Sequence, residues 1–475
     1  MKKKIKFKNK LIVGKYIINY LIIKNYKIKF LILLIIILLI KLYRIFIEEY
    51  ILEINNNYIK AQNELNLNFN NKIKYKIRIA IYAYTLKNGG RARVTSLLLN
   101  YFNKIKIFNL YLFTKKYKED NEYLIPNNIK RIHITNNLIH EIKKFKIDIL
   151  IYQLSFSNEI KLLNNLVNVK VLFYQHLGIF DWIYGNYSIF KSLYREYINS
   201  KYVINIIPFE NDYLFKKWGI NSILMNNFIT YNFNKIIPSN LFSDRILMIG
   251  RGNAKKKRFK IGIQAFEYLV QEIPKCELLI ISDLDNTFGL QTLTNNINLE
   301  KNIKFLGYSS TPEIFFKNIS LNLLPSISEA FPLVICETKI YGIPNVLLGL
   351  DYTTISEGGT IIIYDETPES LAKSSLDILK SYKIRKYLSI KARNSMKNYS
   401  NELLLIKWIK LIISIYNGNY YYEKIKKNIQ EKSNLKVLKI FKKQINLLGK
   451  RISLFQNVNI NDIENFTFME NININ

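Results

Sequence analysis

Two glutamates, Glu329 and Glu337, stand with seven residues between them in the stretch Leu324-Pro-Ser-Ile-Ser-Glu-Ala-Phe-Pro-Leu-Val-Ile-Cys-Glu337. The pattern predicts a strand that ends at Pro325, a loop carrying Glu329, and a helix that opens at Pro332, where a missing N–H is no loss. Backbone N–H groups at that helix start, near Leu333 and Val334, can hold a phosphate. Glu337 follows Leu333 by four residues, on the same helix face, where a carboxylate can accept from the vicinal hydroxyls of a ribose. Two carboxylates at such an offset also describe an ordinary solvated helix, so the weight comes from what surrounds them.

Upstream, Met248-Ile-Gly-Arg251-Gly-Asn-Ala-Lys-Lys-Lys257-Arg258-Phe259 closes one strand and opens the next helix. An arginine and a lysine six residues apart at a strand's C-terminal edge sit where a departing diphosphate must be neutralised. Nearer the start, Asn88-Gly89-Gly90 is a tight turn at which backbone can approach a ligand closely. His176, in Val171-Leu-Phe-Tyr-Gln-His-Leu, follows a strand and can hydrogen-bond or polarise a reacting group. The two cysteines, Cys276 and Cys336, match no zinc, redox or disulfide spacing, and the three histidines form no His-x-x-x-His pair, so no His/Cys metal site is expected.

These residues need a frame that brings strand ends together. From Ile77 the chain alternates short apolar strands with helical stretches: Ile77 to Tyr84, a helix from Val94 to Phe102, then strands at 106–113, 147–152, 169–174 and 202–207. A second series begins at Asp244, with strands at 244–250, 276–282, 302–306, 321–325, 345–348 and 360–364. Strand, glycine turn, helix is the opening of a doubly wound α/β domain, and it occurs twice. The expected organisation is 1–50 as a basic N-terminus and hydrophobic anchor, 51–75 as a linker, and 76–235 as a first Rossmann-like domain. Residues 236–383 form a second such domain, 384–417 helices packing back across both, and 418–475 a basic tail.

With these motifs in place the chain resembles the retaining glycosyltransferases of family 4, also called group 1, over about 76–415 and most strongly from 245 to 372. The carriers are Gly250-Arg251, Lys257-Arg258-Phe259, Lys304-Phe-Leu-Gly-Tyr308, the stretch containing Glu329, Glu337 and Tyr341-Gly-Ile-Pro344. The resemblance implies an α/β GT-B fold, two doubly wound domains facing a cleft. It implies a nucleotide sugar, UDP- or GDP-linked, as co-substrate, with no cofactor and no metal, so that Asp283-Leu-Asp285 is not read as a metal motif. Transfer runs to a glycan, lipid or protein acceptor with retention of configuration. A non-catalytic nucleotide-sugar or glycan binder, or a GT-B epimerase, is the alternative. Arg251 and Lys257 are then implied to bind the diphosphate, Glu329 with Ala330, Phe331 and Leu333 the donor sugar, and Glu337 the ribose. Gly89 and Gly90 face the donor phosphate, and His176 meets the sugar or the reacting centre; the family often has Glu where Ala92 stands.

Seventy Lys and Arg against 36 Asp and Glu leave a charge of +34 on 475 residues. The lysines are spread along the chain and concentrated at its ends, not interleaved with aromatics on one module, so nucleic acid is not an expected partner. Lys, Ile, Asn, Tyr and Phe are over-used together, a bias that A- and T-rich codons produce. A membrane is an expected partner instead. The apolar run from Phe30 to Ile40, extended to Ile47 by Lys41 and Arg44 snorkelling, reads as a single-pass anchor near 29–47, with a basic interfacial helix and, last, a cleaved signal peptide as the alternatives. Ten lysines before Phe30 place the N-terminus on the cytoplasmic side, a type II orientation.

Overall fold

The computed structural model describes residues 76–418 except 88, 136, 182–186, 231–235, 251–254, 284–287, 310, 351 and 398, together with 443, 444 and 447. The chain divides into two compact units, Met1–Lys74 and Tyr75–Asn475, and every described residue belongs to the second. The anchor expected near 29–47, the linker, Arg251 and nearly all of the tail lie outside the described residues. Among the described residues no helix is long and apolar enough to cross a membrane.

Two parallel sheets carry the structure. The first holds β1 (Ile77–Ala83), β2 (Phe108–Thr114), β3 (Lys130–His133), β4 (Ile149–Tyr152), β5 (Lys170–Tyr174), β6 (Tyr202–Asn205) and β7 (Ser222–Leu224), in the order β3-β2-β1-β4-β5-β6-β7. The second holds β8 (Arg245–Ile249), β9 (Glu277–Ile281), β10 (Ile303–Phe305), β11 (Leu321–Leu324), β12 (Asn345–Leu348) and β13 (Thr360–Ile363), in the order β10-β9-β8-β11-β12-β13. Helices cover both faces of such sheets, so central strands read as near-continuous apolar runs. In β1, Ile79 and Ile81 face Leu110 and Leu112 of β2 on one side and Ile149 and Ile151 of β4 on the other, and all six are buried. Strand order reverses between β1 and β4 in one sheet and between β8 and β11 in the other. Ligands of doubly wound sheets bind outside the carboxyl ends of the strands at that reversal. The glycine turn follows β1, Lys257 follows β8 and Glu329 follows β11.

The described helices are α1 (Gly90–Phe102), α2 (Leu138–Lys144), α3 (Ser157–Asn164), α4 (Tyr187–Ile198), α5 (Pro208–Trp218), α6 (Phe259–Glu272), α7 (Phe288–Asn296), α8 (Leu333–Ile340), α9 (Pro368–Lys380), α10 (Tyr382–Met396) and α11 (Asn401–Tyr416). Two differ from the sequence reading. Helix α1 starts at Gly90 and not at Val94, because Gly89, at φ 87°, supplies the cap conformation and accepts from Arg93 N–H through its carbonyl. Pro332 is the residue before α8 and not its first residue. Pro312 opens a 3₁₀ segment, Pro312–Asn318. Helix α10 stays on the second sheet's side, where Arg393 donates to the carbonyl of Ile340. Helix α11 returns to the first: Trp408, fully buried, packs edge-on against Phe102 and Tyr174 at ring separations of 5.6 and 5.5 Å.

Candidate active site

The loops at the two strand-order reversals face one another across a cavity of about 600 Å³. Its lining includes Gly89, Gly90, His176, Lys257, Glu329, Ala330, Phe331, Leu333, Val334 and Glu337, so the structure brings together every described residue singled out from the sequence. Arg251 lies outside the described residues.

Three consecutive cations after β8 have separate fates. Lys257 donates from Nζ to Oε1 of Glu329, with side chains 19% and 11% exposed. Gly250 adjoins its stem: a Cβ there would sit 3.4 Å from both Cδ and Cε of Lys257, an ordinary contact. Lys256 crosses the cleft to Asp181, which also accepts from Ser328 Oγ. Arg258, in the left-handed conformation at φ 48°, turns into the second domain, donating to the Pro325 carbonyl at 2.7 Å and to Glu366 at 2.8 Å. The side chain facing Glu329 is therefore that of Lys257, not Lys256. Burial alone would raise the Glu329 carboxyl, but the charges of Lys257 and Lys256 outweigh it and hold the group below the usual carboxylate range.

Glu337 does not lie on a solvated helix face. It is buried, and its Oε1 receives Arg93 Nη1 of α1 at 2.7 Å and Thr230 Oγ1 at 3.3 Å. Burial pushes its carboxyl up, and Arg93 and Thr230 offset this only in part. At the start of α8 no side chain caps the helix, and Leu333 and Val334 of its first turn line the cavity.

His176 sits half-buried beyond β5, its ring 4.2 Å from that of Tyr174. Burial, and then the charge of Arg91, depress its pKa well below the usual histidine range, so the imidazole is neutral at physiological pH. Its Nε2 is shielded and has no hydrogen-bond partner among the described residues. A neutral imidazole in that state can give or take one hydrogen bond from a hydroxyl.

The loop after His176 is tied down by Glu210, in the first turn of α5, which accepts from the N–H of Ile179, while Asp181 accepts from Gly178 N–H at 2.9 Å. Burial, followed by the nearby Asp181 charge, pushes the Glu210 carboxyl up from 4.5 to about 8. Between those values the folded state keeps a proton that the unfolded chain releases, so stability falls as pH rises through the window. Glu210→Gln retains an acceptor for Ile179. It is expected to flatten that fall by on the order of a few kcal/mol in denaturant titrations run from pH 4.5 to 8. Parallel pH profiles for the two proteins would show that Glu210 ionises as freely in the fold as outside it.

Arg91, Arg93, Asp181 and Lys256 line the cleft and were not among the residues expected there. Both arginines lie in the motif Gly89-Gly90-Arg91-Ala92-Arg93, but reading the helix from Val94 leaves them on a turn with no direction. Asp181, five residues beyond His176, carries no local signal.

Residues 233–395 match the model of the family described as Glycosyl transferases group 1. An uncharacterized glycosyltransferase of Haemophilus influenzae is 20% identical over 299 residues, 60% of this chain and 82% of the relative. The alpha-galactosylglucosyldiacylglycerol synthase of Streptococcus pneumoniae is 29% identical over 180 residues, 36% of this chain but only 46% of the relative. Among solved structures, sucrose-phosphate synthase of Thermosynechococcus elongatus superposes with a TM-score of 0.62 at 15% identity, over 72% of this chain and 100% of that one, a likeness of fold. The two parallel sheets and this superposition together define an α/β, GT-B-like fold.

Proposed function

We propose that this chain is a retaining glycosyltransferase that moves a sugar from a nucleotide sugar, UDP- or GDP-linked, to a glycan, lipid or protein hydroxyl. The observation that carries the reading is the convergence of Lys257 with Glu329, the uncapped start of α8 and Glu337 at one strand-order reversal, with His176 lining the same cavity from the other sheet. In this reading the nucleotide lies along the second sheet. Glu337 accepts from the ribose hydroxyls, and the α8 N–H groups and Lys257 neutralise the diphosphate, joined by Arg251. Glu329 and the backbone of 330–333 meet the donor sugar, and neutral His176 hydrogen-bonds one of its hydroxyls.

During transfer the bond between the anomeric carbon and the diphosphate oxygen breaks, and the acceptor oxygen bonds to the same face of a sugar with oxocarbenium character. The acceptor's proton passes to the departing diphosphate. Negative charge accumulates on the leaving group as the bond lengthens, so cations fixed beforehand stabilise the transition state more than the bound donor. The apolar segment near 29–47 would hold this cleft at a membrane, where a lipid-linked acceptor is at hand.

Glu337→Gln is expected to weaken UDP binding by about 1.5 to 3 kcal/mol in calorimetry, the scale of a hydrogen bond to a charged group, with the fold retained by circular dichroism. Unchanged affinity in the folded variant would confine Glu337 to holding Arg93.

A further inference from the structure

Four cations among the described residues line the cleft, and three of them face carboxylates: Arg93 meets Glu337, Lys256 meets Asp181 and Lys257 meets Glu329. Arg91 differs. No carboxylate and no hydrogen-bond acceptor meets its guanidinium among the described residues, and the titratable groups near enough to feel its charge include the phenols of Tyr152 and Tyr197 and the neutral imidazole of His176. It occupies the first turn of α1, behind Gly89 and Gly90, in a turn that holds no acidic residue.

Each of these features is unfavourable for a cation. A guanidinium stays charged at any physiological pH, and a half-buried charge with no counter-ion forgoes hydration without recovering it. The first turn of a helix is the positive end of its dipole, where anions are stabilised and cations are not. An oxyanion placed against the guanidinium would relieve both penalties, accepting the planar fork of Arg91 and lying within the field of the α1 N–H groups. A cavity that can admit such a group adjoins the residue.

We propose that Arg91 is the first domain's recognition residue for an oxyanion, a phosphate or carboxylate group entering the cleft. The inference rests on the reading of this cleft as a glycosyl-transfer site and adds a specificity determinant on the side opposite Lys257. The oxyanion has two possible carriers, the donor's diphosphate or an acidic group on the acceptor.

The test uses the full chain and its Arg91→Ala, Arg91→Gln and Arg91→Lys variants, each checked for folding by circular dichroism, and titrates three probes by calorimetry. The probes are inorganic phosphate, UDP, and inorganic phosphate added to UDP-saturated protein. Inorganic phosphate affinity is expected to fall about 10-fold or more in Arg91→Ala and Arg91→Gln, and less in Arg91→Lys, which keeps the charge without the fork. A parallel loss of UDP affinity assigns the oxyanion to the donor. Retained UDP affinity, with loss of phosphate binding to the UDP-saturated protein, assigns it to the acceptor. Wild-type affinity for both probes in folded Arg91→Gln, or no phosphate binding by the wild-type protein, overturns the proposal. Failure of the wild-type protein to turn over any nucleotide sugar, with phosphate binding that still depends on Arg91, would sink the transferase reading while leaving the anion site intact.

Discussion

Lys257→Ala is expected to lower turnover by about 100-fold or more while the donor's Michaelis constant rises far less, the pattern of a lost donor to a developing anion. The ammonium is already placed, held by Glu329, so on the proposed mechanism no reorganisation is needed as the diphosphate gains charge. The same substitution acts on Glu329. Its carboxyl is kept low against burial chiefly by Lys257 and then by Lys256, so removing Lys257 should shift the acidic limb of the rate profile upward. Lys257→Ala combined with Glu329→Gln would cancel the stability loss from the unpaired carboxylate and leave turnover low. Lys257→Ala with unaltered turnover and a raised Michaelis constant would make Lys257 a uniform binding group.

Arg93→Ala is expected to destabilise the protein by about 3 to 5 kcal/mol, the cost of leaving one member of a buried ion pair without its partner. Arg93 and Glu337 are 12% and 2% exposed and join α1 on the first sheet to α8 on the second. Urea unfolding at acidic and at alkaline pH separates the causes. The Glu337 carboxyl is already raised by burial, and without Arg93 it rises further, so the folded variant binds a proton more tightly than the unfolded chain does. Its stability should therefore fall more steeply with rising pH than that of the wild type. Adding Glu337→Gln to Arg93→Ala should recover part of the loss. A change below about 1 kcal/mol would mean that the pair is worth no more than an exposed one.

Much of this cleft was legible from local pattern because the chemistry sits at strand ends that punctuate the sequence. Glu329 follows β11, Lys257 follows β8, Gly89 and Gly90 follow β1, and His176 follows β5, each marked by an apolar run that stops. The central strands were legible for the same reason, being buried on both faces. Less visible were β3, whose Lys-Arg-Ile-His sequence is partly exposed at a sheet edge, and the three-residue β7. Neither shows an apolar run long enough to register.

The cross-cleft partnerships were not legible at all. Nothing near Arg93 in sequence points to Glu337, and Asp181 meets Lys256 and Ser328 only once two sheets face each other. The start of α1 shows how a boundary error hides function. Four residues' difference at Gly90 decides whether Arg91 and Arg93 are turn residues or the first turn of a helix lining the cleft. Glu337 carries the opposite lesson: its helix position was readable, but its burial depended on a guanidinium from the other sheet.

Transfer from a nucleotide sugar with retained configuration is tested directly by proton NMR of the full chain incubated with α-configured UDP-glucose, UDP-N-acetylglucosamine or GDP-mannose. Even without an acceptor, water should slowly take the acceptor's place. Release of the nucleoside diphosphate is expected from at least one donor, with the α-anomer of the free sugar appearing before mutarotation. First appearance of the β-anomer would contradict retention, and intact donors throughout, with none of them bound, would contradict glycosyl transfer from a nucleotide sugar altogether.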